Sequence, residues 1–180
     1  DMVYIADTYL DHSLSDSTDA WANLPYPCNP TDPTTAVYDG DFLLGAGYTQ
    51  PDKAGSFGAE LINLYKITSN PKYLKAAIKI ANTLSAKVQP GDSFTSPYPF
   101  KVHAVTGALP TVVNAKWHYT GNVVPTMRLF ESLSQMGLGN TVQYDTAYNI
   151  IKRWVQKFPQ MTNEWGSFFE DIPVPSNTET

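Results

Sequence analysis

A single cysteine, Cys28, is the only thiol in 180 residues, so no disulfide can form within the chain and cysteine usage leaves its compartment open. Charge is scarce too: 16% of the residues are Asp, Glu, Lys or Arg, against about 25% in an average soluble protein. The small surplus is acidic, with a net charge of −5. That excludes the clustered basic surface that phosphate backbones require, and nucleic acid is not an expected partner. No apolar run approaches the roughly 20 residues needed to cross a bilayer. Also missing are a His-Glu-x-x-His helix, a Gly-rich phosphate loop and a Gly-x-Ser-x-Gly elbow, so zinc-peptidase, nucleotide-binding and α/β-hydrolase readings have no support.

Tyr, Trp, Asn, Thr, Ser and Pro fill the space on a 42% hydrophobic background, enough for one sizeable core and one domain over residues 1–180. Low charge with abundant Tyr, Asn and Thr resembles secreted or periplasmic proteins, and that location is the expectation. The chain opens on Asp1 with no signal peptide in view, as a processed or excised segment would.

The clearest helix follows Asn70-Pro71, a cap and a first-turn proline. Its apolar residues fall at Leu74, Ala77, Ile78, Ala81, Leu84 and Val88, with Lys72, Lys75, Lys79 and Lys87 between them. The same stripe returns at Tyr144, Ala147, Tyr148, Ile151, Trp154 and Phe158, and earlier at Met2, Val3, Ala6 and Tyr9. There Ile5-Ala6-Asp7-Thr8 echoes Ile80-Ala81-Asn82-Thr83. Two partner helices, Gly55 to Ile67 and Gly121 to Met136, carry few charges and read as buried on more than one side. The turns "TSNP" and "GLGNT" join each partner to its lysine-bearing or aromatic companion, which predicts antiparallel hairpins. Helices are expected near 2–13, 56–68, 71–88, 123–136 and 142–158.

The long connections repeat as well. Pro25-Tyr26-Pro27 recurs as Pro97-Tyr98-Pro99, and Trp21, Phe94 and Trp165 each precede an aromatic residue by four or five positions. The repeating unit reads as inner helix, short turn, outer helix and long aromatic loop, with a period near 71 residues and the long loops gathered at one end. Within one loop, "FKVHAVTGALPTVV" alternates apolar and polar residues about Thr106-Gly107, which predicts a short β-hairpin. The repeated rings either plug the space between hairpins or offer faces for ligand stacking.

This pattern resembles the (α/α) toroid, or six-hairpin glycosidase-like, superfamily. The likeness rests on "SFGAELINLYKITSNPKYLKAAIKIANTL" (residues 56–84), and on "SPYPFKVHAVTG" followed by "YTGNVVPTMRLFESL", which is similar to uncharacterised bacterial members. It implies a mainly α fold of antiparallel hairpins forming a toroid arc, left incomplete because a ring takes about six hairpins and this chain supplies two and a half. The open ends are expected to expose apolar helix faces, met by self-association or by the remainder of a longer parent chain.

The resemblance also implies an oligo- or polysaccharide partner and activity as a glycoside hydrolase, a polysaccharide lyase or an epimerase. Hydrolysis needs two carboxyl groups across the scissile bond. The richest stretch, "YDGDFLLGAGYTQPDKAG" (residues 38–55), offers Asp39 and Asp41 as catalytic candidates and Tyr48 and Asp52 as binding residues. Asp-Gly is equally ordinary turn chemistry, and Asp52 could cap a helix start. Glu164 beside Trp165 is a third carboxylate; an adjacent ring would raise its pKa, whereas a solvated loop would not. His118 with Tyr119 could abstract and donate the proton of a lyase reaction, or be a hydrogen-bonded structural pair, and His103 stands with them as a lone histidine. Trp21, Phe94, Tyr98 and Trp165 complete the expected binding set. No cofactor is expected beyond a calcium ion that Asp39 and Asp41 could share. The contrasting reading is a non-catalytic helical-repeat module that binds carbohydrate or a protein.

Overall fold

A computed structural model of the chain describes residues 1–92, 95–110 and 123–157. Five helices are found among them: α1 (Met2–His12), α2 (Pro51–Thr68), α3 (Pro71–Lys87), α4 (Val124–Met136) and α5 (Thr141–Lys157). Four two-residue strands, β1 (Gly40–Asp41), β2 (Gly45–Ala46), β3 (Tyr48–Thr49) and β4 (Val102–His103), form the antiparallel pairs β1–β2 and β3–β4. The expected helical class and helix positions are present. One boundary moves: α2 begins at Pro51, a turn before the apolar stripe, because Gln50 is extended and Pro51 supplies a preset first-turn φ. Asp52 therefore lies on the helix and not in the loop.

Local chemistry sets the remaining ends. Ser69 stops α2 in the left-handed region at φ 58°, and its N–H donates to Tyr65 O at 2.7 Å. Asn70 then caps α3, its side chain accepting from Lys72 N at 3.0 Å. Gly137 ends α4 at φ 68°, and Leu138 N–H reaches back to Leu133 O at 3.0 Å.

These tight turns fold the helices into two antiparallel hairpins. Gly58 in the middle of α2 meets Ile80 in the middle of α3, and Phe130 of α4 stacks on Tyr144 of α5 with centroids 5.8 Å apart. The two leading helices, α2 and α4, run parallel, since Gly55 faces Thr126 and Gly58 faces Leu129. Contact there is so close that a Cβ on Gly55 would lie 3.0 Å from the Thr126 Cα and closer still to its side chain. Ile80, Leu84, Leu129, Phe130 and Leu133 are wholly buried around this seam. Each such side chain contributes about 1.5–3 kcal/mol relative to exposure.

The repeat seen in the sequence recurs in hydrogen bonds. Tyr73 of α3 donates its hydroxyl to Asp7 of α1 at 3.1 Å, and Tyr144 of α5 donates to Asn82 of α3 at 2.5 Å. Asp7 and Asn82 are the residues that the echo Ile-Ala-Asx-Thr pairs. A second tie repeats at an offset near 71: Thr83 donates to Ala22 O at 2.8 Å, and Trp154 donates to Asp92 O at 3.0 Å. Each trailing helix thus holds both the trailing helix and the long loop of the unit before it. At the leading edge, α1 leaves Met2, Tyr4 and Ile5 more than half exposed.

Of the expected hairpin about Thr106-Gly107, residues 111–113 lie outside the described residues. His103 N–H donates to Ala108 O and Gly107 N–H to His103 O, closing a turn, but the strand β4 pairs with β3 from the other long loop. Alternation within one segment shows a strand and does not name its partner.

Gly55→Ala tests the seam. Alanine favours a helix interior by about 1 kcal/mol over glycine, yet the clash with α4 should leave a net loss of about 1–3 kcal/mol. Urea unfolding should show a lower midpoint; a raised one would mean that α2 and α4 stand further apart.

Candidate functional site

Two long connections, 13–50 and the described residues 88–92 and 95–110 of the next, meet at one end of the helices. Trp21 N–H donates to Ala104 O at 2.8 Å and Ala20 N–H to Val105 O at 3.3 Å, while β3 pairs with β4 through Tyr48–His103 and Thr49–Val102. Thr49 also donates its hydroxyl to Pro25 O at 2.7 Å. The second loop is therefore clamped onto the first at two places.

Asp41 is the pin at the centre of this clamp. Lys101 Nζ lies 3.0 Å from its Oδ2, Gln50 Nε2 donates to the same oxygen at 3.0 Å, and the N–H groups of Leu43 and Leu44 donate to Oδ1 at 2.9 and 3.2 Å. Burial alone would push this carboxyl up, but the Lys101 ammonium, the Gln50 amide and the Leu43 N–H outweigh it and hold the group below its ordinary value. Both of its oxygens are committed, so a calcium ion shared by Asp39 and Asp41 would have to displace an ammonium. Among the described residues no group of three His, Cys, Asp or Glu could hold a metal.

Asp39, two residues before Asp41, has different partners. Its backbone joins Cys28 O and Gly47 N, whereas its Oδ1 is buried without a hydrogen-bond partner among the described residues. Gly47, at φ +81°, has no room for a Cβ, which would lie 2.7 Å from His103 Nε2. The His103 ring meets Tyr48 edge to face at 5.0 Å, and its Nδ1 is likewise buried without a partner among the described residues. Tyr26 is half-buried on the first loop; burial first, then the charges of Asp19 and Asp39, push its hydroxyl pKa up. Beside it a recess of about 80 Å³ is lined by Tyr9, Pro25, Tyr26, Pro27, Lys53 and Phe57.

The other expected residues fall elsewhere. Asp52 is buried in the first turn of α2, where the helix N-terminus favours its charge. Trp21 is buried with Lys87 Nζ 5.8 Å from its ring, and Tyr98 is sealed in the core with its hydroxyl donating to Leu84 O at 2.9 Å. These two rings serve as plugs between chain segments and offer no face to a ligand. Phe94, His118, Tyr119, Glu164 and Trp165 lie outside the described residues. Cys28 donates its thiol to Gly40 O at 3.3 Å, and burial followed by the charge of Asp41 pushes its pKa up, away from a reactive thiolate.

Sequence reasoning passed over Lys101 altogether. The available signal was a cation set inside the apolar run Tyr98-Pro99-Phe100-Lys101-Val102 of a chain poor in charge. Tyr26 reads from the sequence as a repeat marker and His103 as a lone histidine, with no signal for the edge contact between His103 and Tyr48.

No family model matches the chain, and neither the curated proteins nor the solved structures include a significant match to it.

Asp41→Asn should leave Lys101 charged and without its ionic partner in the interior, with an expected loss of about 3–5 kcal/mol. The folded pKa of Asp41 is depressed, so its stabilisation is complete above the ordinary carboxylate value near 4 and is lost as pH falls through the lower folded value. Urea midpoints measured across that range should show an acid slope in the wild type that the variant partly lacks. Identical slopes would remove Asp41 from the pH response.

Proposed function

We propose that the chain is a carbohydrate-active domain, an arc of an (α/α) toroid whose glycan cleft lies on the long-loop side. The observation that carries this reading is the β3–β4 pairing, which sets Tyr48 edge to face with His103 next to Gly47, whose N–H donates to Asp39 O. Sugar rings stack on aromatic faces, and sugar hydroxyls donate to carboxylates and imidazoles, so an aromatic ring, an imidazole and a carboxylate at the loop end suit a saccharide.

A tyrosine and a histidine in edge contact are groups that can move protons, as a polysaccharide lyase requires. A hydrolase would need a second carboxylate opposite Asp39. Asp41 is held by Lys101 and does not qualify, which leaves that role to Glu164 or to a residue of a longer parent chain. Encounter with polysaccharide in a secreted or periplasmic setting accords with the low charge of the chain.

The second reading, a non-catalytic module binding carbohydrate or protein, draws its support from Asp41, Trp21 and Tyr98. All three are spent on internal contacts, which leaves the site richer in binding groups than in paired acids.

Affinity electrophoresis through a panel of polysaccharide gels tests the proposal. Migration should be retarded in at least one gel, and Tyr48→Ala should weaken that binding about 2- to 10-fold, the worth of one aromatic contact. Retardation in no gel, or retardation untouched by both Tyr48→Ala and His103→Ala, would defeat it. Release of reducing ends or of unsaturated products from the retarding polysaccharide would separate hydrolase, lyase and binding module.

A further inference from the structure

The turn between β1 and β2 carries an apolar tip. From Phe42 to Gly47 the sequence reads Phe-Leu-Leu-Gly-Ala-Gly, a stretch without one polar side chain. Surface turns ordinarily recruit Asn, Asp, Ser and Pro. Here Phe42 and Leu43 are 73% and 63% exposed, Leu44 is half-buried, and Ala46 on β2 is exposed.

The backbone of this turn is already satisfied from within. Gly40 and Asp41 pair with Ala46 and Gly45. The N–H groups of Leu43 and Leu44 donate to Asp41 Oδ1 at 2.9 and 3.2 Å, and Gly47 N–H donates to Asp39 O at 2.8 Å. Lys101 and Gln50 fix the Asp41 carboxylate in turn, so the tip is held in one shape by the second loop. Charge is kept away from it as well. No residue from Phe42 to Pro51 is charged, and the bounding carboxylates Asp41 and Asp52 are 4% and 1% exposed.

We propose that the Phe42-Leu43-Leu44 tip dips into the interfacial layer of a bilayer of zwitterionic lipid. A bilayer rewards apolar side chains on a backbone whose donors already have partners, and the tip supplies both. A protein partner fits less well. Specific protein interfaces carry about one hydrogen bond per 100–200 Å², and the tip has no polar side chain with which to make one. Attraction to anionic lipid would need free Lys or Arg beside the tip, whereas Lys101 is committed to Asp41. The contact is peripheral, not a span, and is independent of the carbohydrate reading.

Cosedimentation of the chain with phosphatidylcholine vesicles tests the proposal. The chain should pellet with the lipid, with no gain from added phosphatidylglycerol and no loss on raising the salt concentration. Phe42→Ser combined with Leu43→Ser should weaken the partition about 10-fold or more. The urea midpoint should change little, because both side chains are already mostly exposed. No pelleting with lipid, pelleting that the double variant retains, or pelleting that requires the anionic lipid would overturn the proposal. So would sedimentation velocity showing that the chain self-associates and that the double variant is monomeric, which would assign the tip to a second copy.

Discussion

At Gly55 the backbone of α2 approaches the Thr126 backbone of α4 so closely that no side chain fits between them, and at Gly58 the Leu129 side chain fills the place a Cβ would take. That contact fixes the spacing and direction of the two hairpins at once. With α2 and α4 parallel, the turns after them lie at one end and the long connections at the other. The loops then meet, β3 can pair with β4, and Lys101 can reach Asp41. A wider seam would forfeit dispersion contacts along Ile80, Leu129 and Leu133 and draw the two loops apart.

The trailing helices are held by a different device. Their Tyr-to-Asx and helix-to-loop hydrogen bonds recur from one unit to the next, so each unit is bound both to the helix and to the loop of its predecessor. These bonds are directional where the apolar seam is not, and they set the rotation of each hairpin about the one before it. Repeat proteins depend on such nearest-neighbour terms, and an end unit that lacks a neighbour exposes the surface that interior units bury.

The loop end divides its polar groups between two tasks. Asp41 and Lys101 neutralise one another under near-complete burial and fasten two segments 60 residues apart. Asp39 and His103 keep buried polar atoms without a hydrogen-bond partner among the described residues. An unmade buried hydrogen bond costs about 1–3 kcal/mol, so groups left in that state are where a ligand gains most by supplying the missing partner.

Helices were legible in the sequence because their signals are local: the Asn70-Pro71 cap, the stop at Gly137, and apolar spacing at three and four residues. The 71-residue repeat was legible too, since equivalent positions face equivalent neighbours and keep similar side chains, as Asp7 and Asn82 do. The fate of the loop residues was not. Asp39 and Asp41 are alike in type and two positions apart, yet one is locked to a lysine from a distant loop and the other is not; Tyr26 and Tyr98 sit in the same tripeptide, yet one borders a recess and the other is sealed. Composition and periodicity determined the helical class, the hairpins and the repeat. Tertiary structure alone decided which carboxylates and rings are spent on holding the loops together, because that depends on contacts between segments far apart in the chain.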